Sequence, residues 1–307
     1  MLKNKNLLVA AIICLCLNNG NTAFGKDVGV VLAKIPDSNQ AALTENKNAA
    51  ANFEQGNNLY KQGDLKGAEA AFRKAIELEP NFVQAYIGLG NTLDAQGKPE
   101  EAIALYNQAI TFYPKYADAH YYLGNALYAQ GKPTEAVAEY TAAIVLDPKN
   151  SAGYNALGNA LYAQGKLEEA IAHYKKAISF DPKYADAHYN LASALYAQQN
   201  LAEAVAEYTE AIRLDPKHAQ AYTGLANAMD DQGKPQEAIA HYKKAISLVP
   251  NYAYAYYNLG ITLGREQQLE EAVFNLKKAR ELFQAEENKE MVEQVDQVIQ
   301  KINTRTN

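Results

Sequence analysis

The chain has 307 residues, with 29 basic and 35 acidic side chains and a formal net charge of −6 at pH 7. Nucleic-acid binding requires a basic patch or stripe that neutralises phosphates, and this charge balance argues against that class. The length alone suggests about two domains, but a periodic sequence overrides that estimate because repeats stack without a fixed size limit.

Residues 1–25 are typical of a signal peptide. A basic start is followed by the apolar run LLVAAIICLCL (residues 7–17), which is too short to span a bilayer. Ala23 and Gly25 are small residues placed for cleavage before Lys26. We therefore expect an exported chain in a periplasm, a lumen or the extracellular space. The alternative is an uncleaved chain that residues 7–17 anchor in a membrane.

Both cysteines, Cys14 and Cys16, lie inside that apolar run, so a cleaved chain would contain no disulfide and no cysteine ligand. Residues 26–48 differ in composition, because a short apolar run there precedes a polar stretch. We interpret this segment as a linker or arm. The fold that follows must be held together by packing alone.

A period of 34 residues divides the chain from residue 49 to about residue 283 into seven blocks. The blocks begin at Ala49, Val83, Ala117, Ser151, Ala185, Ala219 and Ala253. One column is always small: Gly56, Gly90, Gly124, Gly158, Ala192, Ala226 and Gly260. Two later columns are always alanine, as at Ala170 and Ala177. The column between these two is large: Phe72, Tyr106, Tyr140, Tyr174, Tyr208, Tyr242 and Leu276.

The pattern within a block predicts two helices joined by a turn. In the fourth block, Tyr154, Leu157 and Leu161 recur at helical spacing, and a second such series begins at Ala170. Gly165 stands between the two series, where a positive φ would end the first helix. Prolines stop the second helix in six blocks: Pro80, Pro114, Pro148, Pro182, Pro216 and Pro250.

These columns resemble the tetratricopeptide repeat (TPR), whose pattern of aromatic, Leu-Gly, Ala, aromatic and Pro residues spans a helix–turn–helix. In the fourth block the resemblance rests on Tyr154, Leu157, Gly158, Leu161, Ala170, Tyr174 and Pro182. It implies an all-α fold, a right-handed superhelix (α-solenoid) of seven helix pairs. The terminal blocks depart from the pattern: the first has Asn52 and Gln55 in place of the aromatic residue and the leucine, and the seventh has Gln284 in place of the proline.

Residues 284–307 predict one further helix. Its apolar residues fall on one helical face: Met291, Val295, Val298, Ile299 and Ile302. We interpret it as a capping helix whose apolar face covers the last repeat. The alternative is a helix that binds a partner.

The sequence offers no catalytic constellation, and we predict a protein that is not an enzyme and holds no metal or cofactor. The histidines His120 and His188 lie two repeats apart, as do His173 and His241, so neither pair could ligate one metal ion. Acidic residues concentrate in the first turns of the second helices, where they complement the helix dipole.

The remaining surface is the face of the first helices, which the family resemblance places on the concave side of the superhelix. Offsets of three and four residues fall on one helix face. There, a column of amides lies beside columns that hold tyrosines and, at Asp94 and Asp230, acids. The candidate peptide-binding residues are Asn57, Asn91, Asn125, Asn159, Asn227, Tyr121, Tyr128, Tyr162, Tyr189, Tyr196 and Tyr257.

We therefore expect a non-catalytic scaffold whose partner is a protein or peptide segment bound in a concave groove. Amides can pair with a peptide backbone whatever its sequence, and tyrosine adds contact area. Export suggests a role in assembling or positioning an envelope or membrane complex, with membrane association through the N-terminus or through the partner. The alternative is a carbohydrate-binding or polysaccharide-export accessory protein, because tyrosine rings also stack on sugars.

Overall fold

The computed structural model describes residues 46–306, which form fifteen helices and contain no β-strand. These residues divide into two compact units, with the boundary between Phe180 and Asp181. The all-α class predicted from the sequence is confirmed, and each unit is a stack of helix pairs. The predicted signal peptide (residues 1–25) and the arm up to residue 45 lie outside the described residues.

The first unit contains four helix pairs. Its helices are α1 (Lys47–Lys61), α2 (Leu65–Leu78), α3 (Val83–Ala95), α4 (Pro99–Phe112), α5 (Ala117–Ala129), α6 (Pro133–Leu146), α7 (Ser151–Ala163) and α8 (Leu167–Phe180). Within this unit, the two helices of a repeat pack against each other, and the second helix also packs against the first helix of the next repeat. The first helices of successive repeats are also in contact, so they form one continuous layer.

The second unit contains three further pairs and a final single helix. Its helices are α9 (Ala185–Ala197), α10 (Leu201–Leu214), α11 (Ala219–Asp231), α12 (Pro235–Leu248), α13 (Ala253–Arg265), α14 (Leu269–Ala285) and α15 (Lys289–Thr306). The packing order within this unit is the same as in the first unit. The two units are therefore built from one helical repeat.

The turn inside each repeat depends on a residue in the left-handed region. Gly165 has a φ of 75° directly after α7, as the sequence predicts. The fifth and seventh repeats have no glycine there; Gln199 and Gln267 adopt φ values of 63° and 61°. A residue with a Cβ is strained in this region by roughly 1 kcal/mol. The turn geometry is therefore imposed by the packing of the two helices and not by glycine alone.

A large side chain of the second helix is buried beside the small column of the first helix. The fractional exposure of Tyr174 is 2%, and that of the neighbouring Ala170 and Ala177 is 0%. A Cβ added at Gly158 would lie 2.5 Å from Cε1 of Tyr174, which is closer than atoms can pack. The small column is therefore required by the ring that it faces.

The predicted C-terminal helix is present as α15, and it packs against α13 and α14. Met291, Val295 and Ile302 of its apolar face are buried. On its polar side, Arg280 of α14 donates to Asp296, with Nε 2.7 Å from Oδ1. The apolar face of α15 is therefore used within the chain, as a capping helix requires.

Two equivalent histidines join neighbouring helices through both ring nitrogens. His120 Nδ1 lies 2.8 Å from Oε2 of Glu139, and its Nε2 lies 3.1 Å from the carbonyl oxygen of Pro114. His188 repeats this arrangement with Glu207 at 2.6 Å. Both partners of each ring only accept hydrogen bonds, so only the protonated imidazolium satisfies both. The hydrogen bond to Glu139, and then that to the Pro114 carbonyl, raises the pKa of His120 against the opposing effect of burial.

The other type of histidine occurs on the second helices of the intervening repeats. The ring of His173 stacks on that of Tyr154, with centroids 6.0 Å apart, and His241 lies at 6.0 Å from Tyr222. Burial lowers the pKa of both histidines. The pKa values of the two types of histidine are therefore shifted in opposite directions.

We predict that His120→Gln destabilises the fold more at pH about 6 than at pH about 8.5. A histidine whose pKa is higher in the folded state than in the unfolded state stabilises the fold. The full stabilisation is present below the unfolded-state pKa of about 6.5, and it is lost as the pH rises through the folded-state pKa. Urea unfolding of the variant and the wild type at both pH values measures the difference. His173→Gln is the matched control and should show the opposite pH trend, because its folded pKa is lowered. An equal loss for His120→Gln at both pH values would contradict the assigned charge.

Candidate functional site

The candidate site is a polar face formed by the first helices of the repeats, and we call it the first-helix face. In the first unit it consists of Phe53, Asn57, Tyr60, Ile87, Asn91, Asp94, Tyr121, Asn125, Tyr128, Asn155, Asn159 and Tyr162. In the second unit it consists of Tyr189, Ser193, Tyr196, Thr223, Asn227, Asp230, Tyr257, Ile261 and Gly264.

The asparagines of this face are bonded to the buried tyrosines of the second helices. In four repeats the phenol hydroxyl donates to the carboxamide oxygen of the asparagine that lies 15 residues earlier in the chain. The pairs are Tyr106–Asn91 at 2.7 Å, Tyr140–Asn125 at 2.8 Å, Tyr174–Asn159 at 2.8 Å and Tyr242–Asn227 at 2.6 Å. Burial raises the pKa of these four phenols, so they stay protonated and act as donors.

The remaining repeats show that the two columns are matched. Ser193 replaces the asparagine in the fifth repeat, and its hydroxyl lies 3.1 Å from that of Tyr208. In the seventh repeat both positions are apolar, Leu276 and Ile261. The first repeat differs, because Phe72 has no hydroxyl to offer Asn57. The paired change to Leu and Ile was visible in the sequence, and it is the signal that could have revealed the bond.

This bond changes what the asparagines can offer to a partner. From the sequence they are expected to supply a donor and an acceptor. In the structure the oxygen of Asn125 already accepts from Tyr140, so the two N–H bonds of its amide remain. Asn227 also accepts from Nδ2 of Asn258 at 3.0 Å. The four asparagines that accept from tyrosines are therefore held in fixed orientations, with their N–H groups as donors.

The tyrosines that the sequence singles out fall into two groups. Tyr121, Tyr128, Tyr162 and Tyr189 are half-buried, so part of each ring is open to solvent. The rings of Tyr121 and Tyr140 approach to 6.1 Å between centroids, and those of Tyr189 and Tyr208 to 5.9 Å. Tyr196 and Tyr257 are 7% and 4% exposed. The half-buried group therefore offers most of the accessible aromatic area.

In the second unit, charged residues that the sequence analysis did not choose as candidates make contacts between neighbouring repeats. Thr262 Oγ1 donates to Oδ2 of Asp230 at 3.1 Å, and Arg265 pairs with the same oxygen. Tyr196 Oη donates to Oδ2 of Asp231 at 2.6 Å. In both Tyr196–Asp231 and Asp230–Arg265, the second residue is 35 positions after the first. This contact between neighbouring repeats depends on how they stack, which the sequence does not display.

The described residues contain neither a candidate metal site nor a candidate membrane-spanning helix. Residues 46–306 contain no group of three or more His, Cys, Asp or Glu side chains arranged to hold a metal ion. In the same range, none of the helices has both the length and the apolar character that crossing a bilayer requires.

We predict that Asn125→Ala destabilises the fold by about 1–3 kcal/mol, because it leaves the buried hydroxyl of Tyr140 without its acceptor. Asn57→Ala is the matched control. It lies in the same column opposite Phe72, and should change the free energy of unfolding by less than about 0.5 kcal/mol. Adding Tyr140→Phe to Asn125→Ala should recover part of the loss, as a double-mutant cycle would measure. Equal costs at Asn125 and Asn57 would contradict the role of the bond.

Family models match most of the described chain. A model described as TPR repeat matches residues 124–165, 158–199, 192–233 and 231–267. Three models described as tetratricopeptide repeat match residues 53–117, 105–138 and 253–285. Together these matches run without a gap from residue 53 to residue 285. The comparison with curated protein sequences found no match.

Solved structures with the same architecture include three that are less than 25% identical to this chain and so show the fold alone. A tetratricopeptide repeat protein from Parabacteroides merdae has 20% identity and a TM-score of 0.64, over 81% of this chain and 99% of its own. The pilF protein of Pseudomonas aeruginosa has 19% identity and a TM-score of 0.61, over 66% of this chain and 93% of its own.

The third structure is the APC/C hetero-tetramer Cut9–Hcn1, with 18% identity and a TM-score of 0.65, over 85% of this chain and 46% of that one.

The repeated helix pairs, the small columns facing large rings and the family matches agree over the same residues. The chain belongs to the tetratricopeptide-repeat family.

Proposed function

We propose that the first-helix face binds an extended peptide segment of a protein partner, and that the chain is a non-catalytic scaffold. The observation that carries this proposal is the row of asparagines whose oxygens are held by buried tyrosines. Each such bond fixes one amide, so in the first unit amide N–H groups of fixed orientation recur in the second, third and fourth repeats. The tetratricopeptide-repeat fold of the chain is consistent with protein–protein interaction.

An extended peptide has the chemistry that this face would recognise. Its backbone carbonyls are acceptors at regular intervals, and they suit a row of donors whatever the peptide sequence. The half-buried rings of Tyr121, Tyr128 and Tyr162 supply apolar area at a low cost in side-chain entropy. Because the asparagines are already oriented, little conformational freedom is lost on binding.

The test uses Asn125→Ser together with Asn159→Ser. Ser193 already pairs with Tyr208 in this chain, so serine should keep each buried phenol bonded while removing the amide donors. Binding is measured on an array of N-acetylated, C-amidated octapeptides and then in solution with the tightest peptide. Each lost hydrogen bond is worth about 0.5–1.5 kcal/mol, so the double variant should bind at least fivefold more weakly.

The wild-type protein and Asn57→Ser are the controls, and the melting temperatures of all three proteins show whether the fold is kept. A folded double variant that binds the peptide as tightly as the wild type would refute the asparagine-based site. A glycan panel assayed by thermal protection tests the carbohydrate alternative. Protection by glycans, with no peptide bound, would favour that alternative.

The same proposal includes export and a role beside an envelope or membrane complex. It is supported by the basic start, the apolar run at residues 7–17 and the small residues Ala23 and Gly25. N-terminal sequencing of the native protein from fractionated cells should give a chain that starts near Lys26 outside the cytoplasm. A cytoplasmic chain that retains Met1 would contradict export, and an uncleaved membrane-bound chain would favour the anchor.

A further inference from the structure

Asp94 of the first unit and Asp230 of the second occupy the same column of the first-helix face, yet their surroundings differ. Asp230 is paired with Arg265, which is 35 positions later, and it accepts from Thr262. The residue 35 positions after Asp94 is Ala129, which is exposed. The residue that corresponds to Thr262 is Ala126. The internal cation that neutralises Asp230 therefore has no equivalent beside Asp94.

Within residues 46–306, no hydrogen bond or ion pair engages the carboxylate of Asp94. Although the residue is exposed, the atoms packed around the carboxylate displace part of its water and raise its pKa. Burial, and then the charge of Asp94, raise the pKa of Tyr60. Lys61, the residue after Tyr60, makes no ion pair with Asp94 in this range.

We infer that the position opposite Asp94 is filled by an arginine or lysine side chain of the bound peptide, which takes the place that Arg265 has beside Asp230. The inference rests on the proposed peptide site and names the chemistry of its ligand. Tyr60 holds the same column as Asp94 on the neighbouring helix α1, which contacts α3. A cationic side chain there would meet the carboxylate and lie against the ring of Tyr60, and both contacts favour a cation. Arginine suits the site better than lysine, since its planar guanidinium can pair with the carboxylate and stack on the tyrosine ring at the same time.

A second group on the same side of α3 also lacks a partner. Gln84 is 5% exposed, and neither its Nε2 nor its Oε1 has a hydrogen-bond partner among the described residues. A buried amide without partners is costly, and a peptide backbone offers the donor and the acceptor that it lacks once the side chain turns toward the first-helix face. Gln84 and Asp94 are separated along α3 by about 15 Å, a span that four or five extended peptide residues cover.

The test is a positional-scanning library of N-acetylated, C-amidated octapeptides, in which side chains are the only source of positive charge. Wild-type protein should select arginine or lysine at one position. Asp94→Asn should lose that selection and bind the tightest peptide about tenfold more weakly or worse. Ala129→Arg should also lose it, because the new side chain would pair with Asp94 as Arg265 pairs with Asp230.

Glu101→Gln is the matched control, since it removes one exposed carboxylate of α4 that is outside the first-helix face. It should keep both the affinity and the selection. Peptide binding with no basic preference would overturn this inference and leave the proposed peptide site standing. Loss of the preference in Glu101→Gln as strongly as in Asp94→Asn would assign it to overall charge and also overturn the inference. Failure of the wild-type protein to bind any octapeptide would overturn both proposals.

Discussion

Each repeat is organised around one large, buried side chain of its second helix. This side chain packs against the first helix at a position where that helix has a small residue. The ring of Tyr174 lies where a Cβ on Gly158 would be only 2.5 Å away. The size of that ring therefore fixes the small column. Its hydroxyl adds a second constraint, because a buried phenol needs an acceptor, and Asn159 provides one at 2.8 Å.

Stability and the proposed peptide recognition share residues on the first-helix face, but not equally. The carboxamide oxygen of Asn125 accepts a hydrogen bond from Tyr140 and so contributes to stability. Only the N–H groups of Asn125 are then available to a partner. Replacing such a residue with alanine would therefore confuse loss of binding with loss of stability. Asp94 differs, since no described residue bonds to its carboxylate. A charge that the fold does not use can be changed with little cost to folding, which suits it to set specificity.

The periodic columns predicted the helix pairs well, because each column reflects a packing need that recurs in every repeat. The left-handed turn at Gly165 was predicted for the same reason, whereas the buried face of α15 was predicted from the helical spacing of its own apolar residues. Gln199 and Gln267 were not predicted, since glutamine gives no sign that the helices around it impose a positive φ. The Tyr–Asn bond could have been found from the joint change to Leu276 and Ile261. The difference between Asp94 and Asp230 could not, because it depends on how two repeats stack.

In the four Tyr–Asn pairs, the hydrogen bond of the second-helix tyrosine closes within its own repeat, from the second helix back to the first. A segment of the gene that encodes one repeat therefore carries both the polar group and the atom that satisfies it. Copying or deleting such a segment leaves no second-helix phenol without its acceptor. The length of the array can therefore change by whole repeats without the cost of an unsatisfied buried hydroxyl. The likeness of the Tyr140–Asn125 and Tyr174–Asn159 pairs is what such a history of duplication would leave. The chain can thus lengthen the first-helix face, its proposed binding surface, by the same step that extends its core.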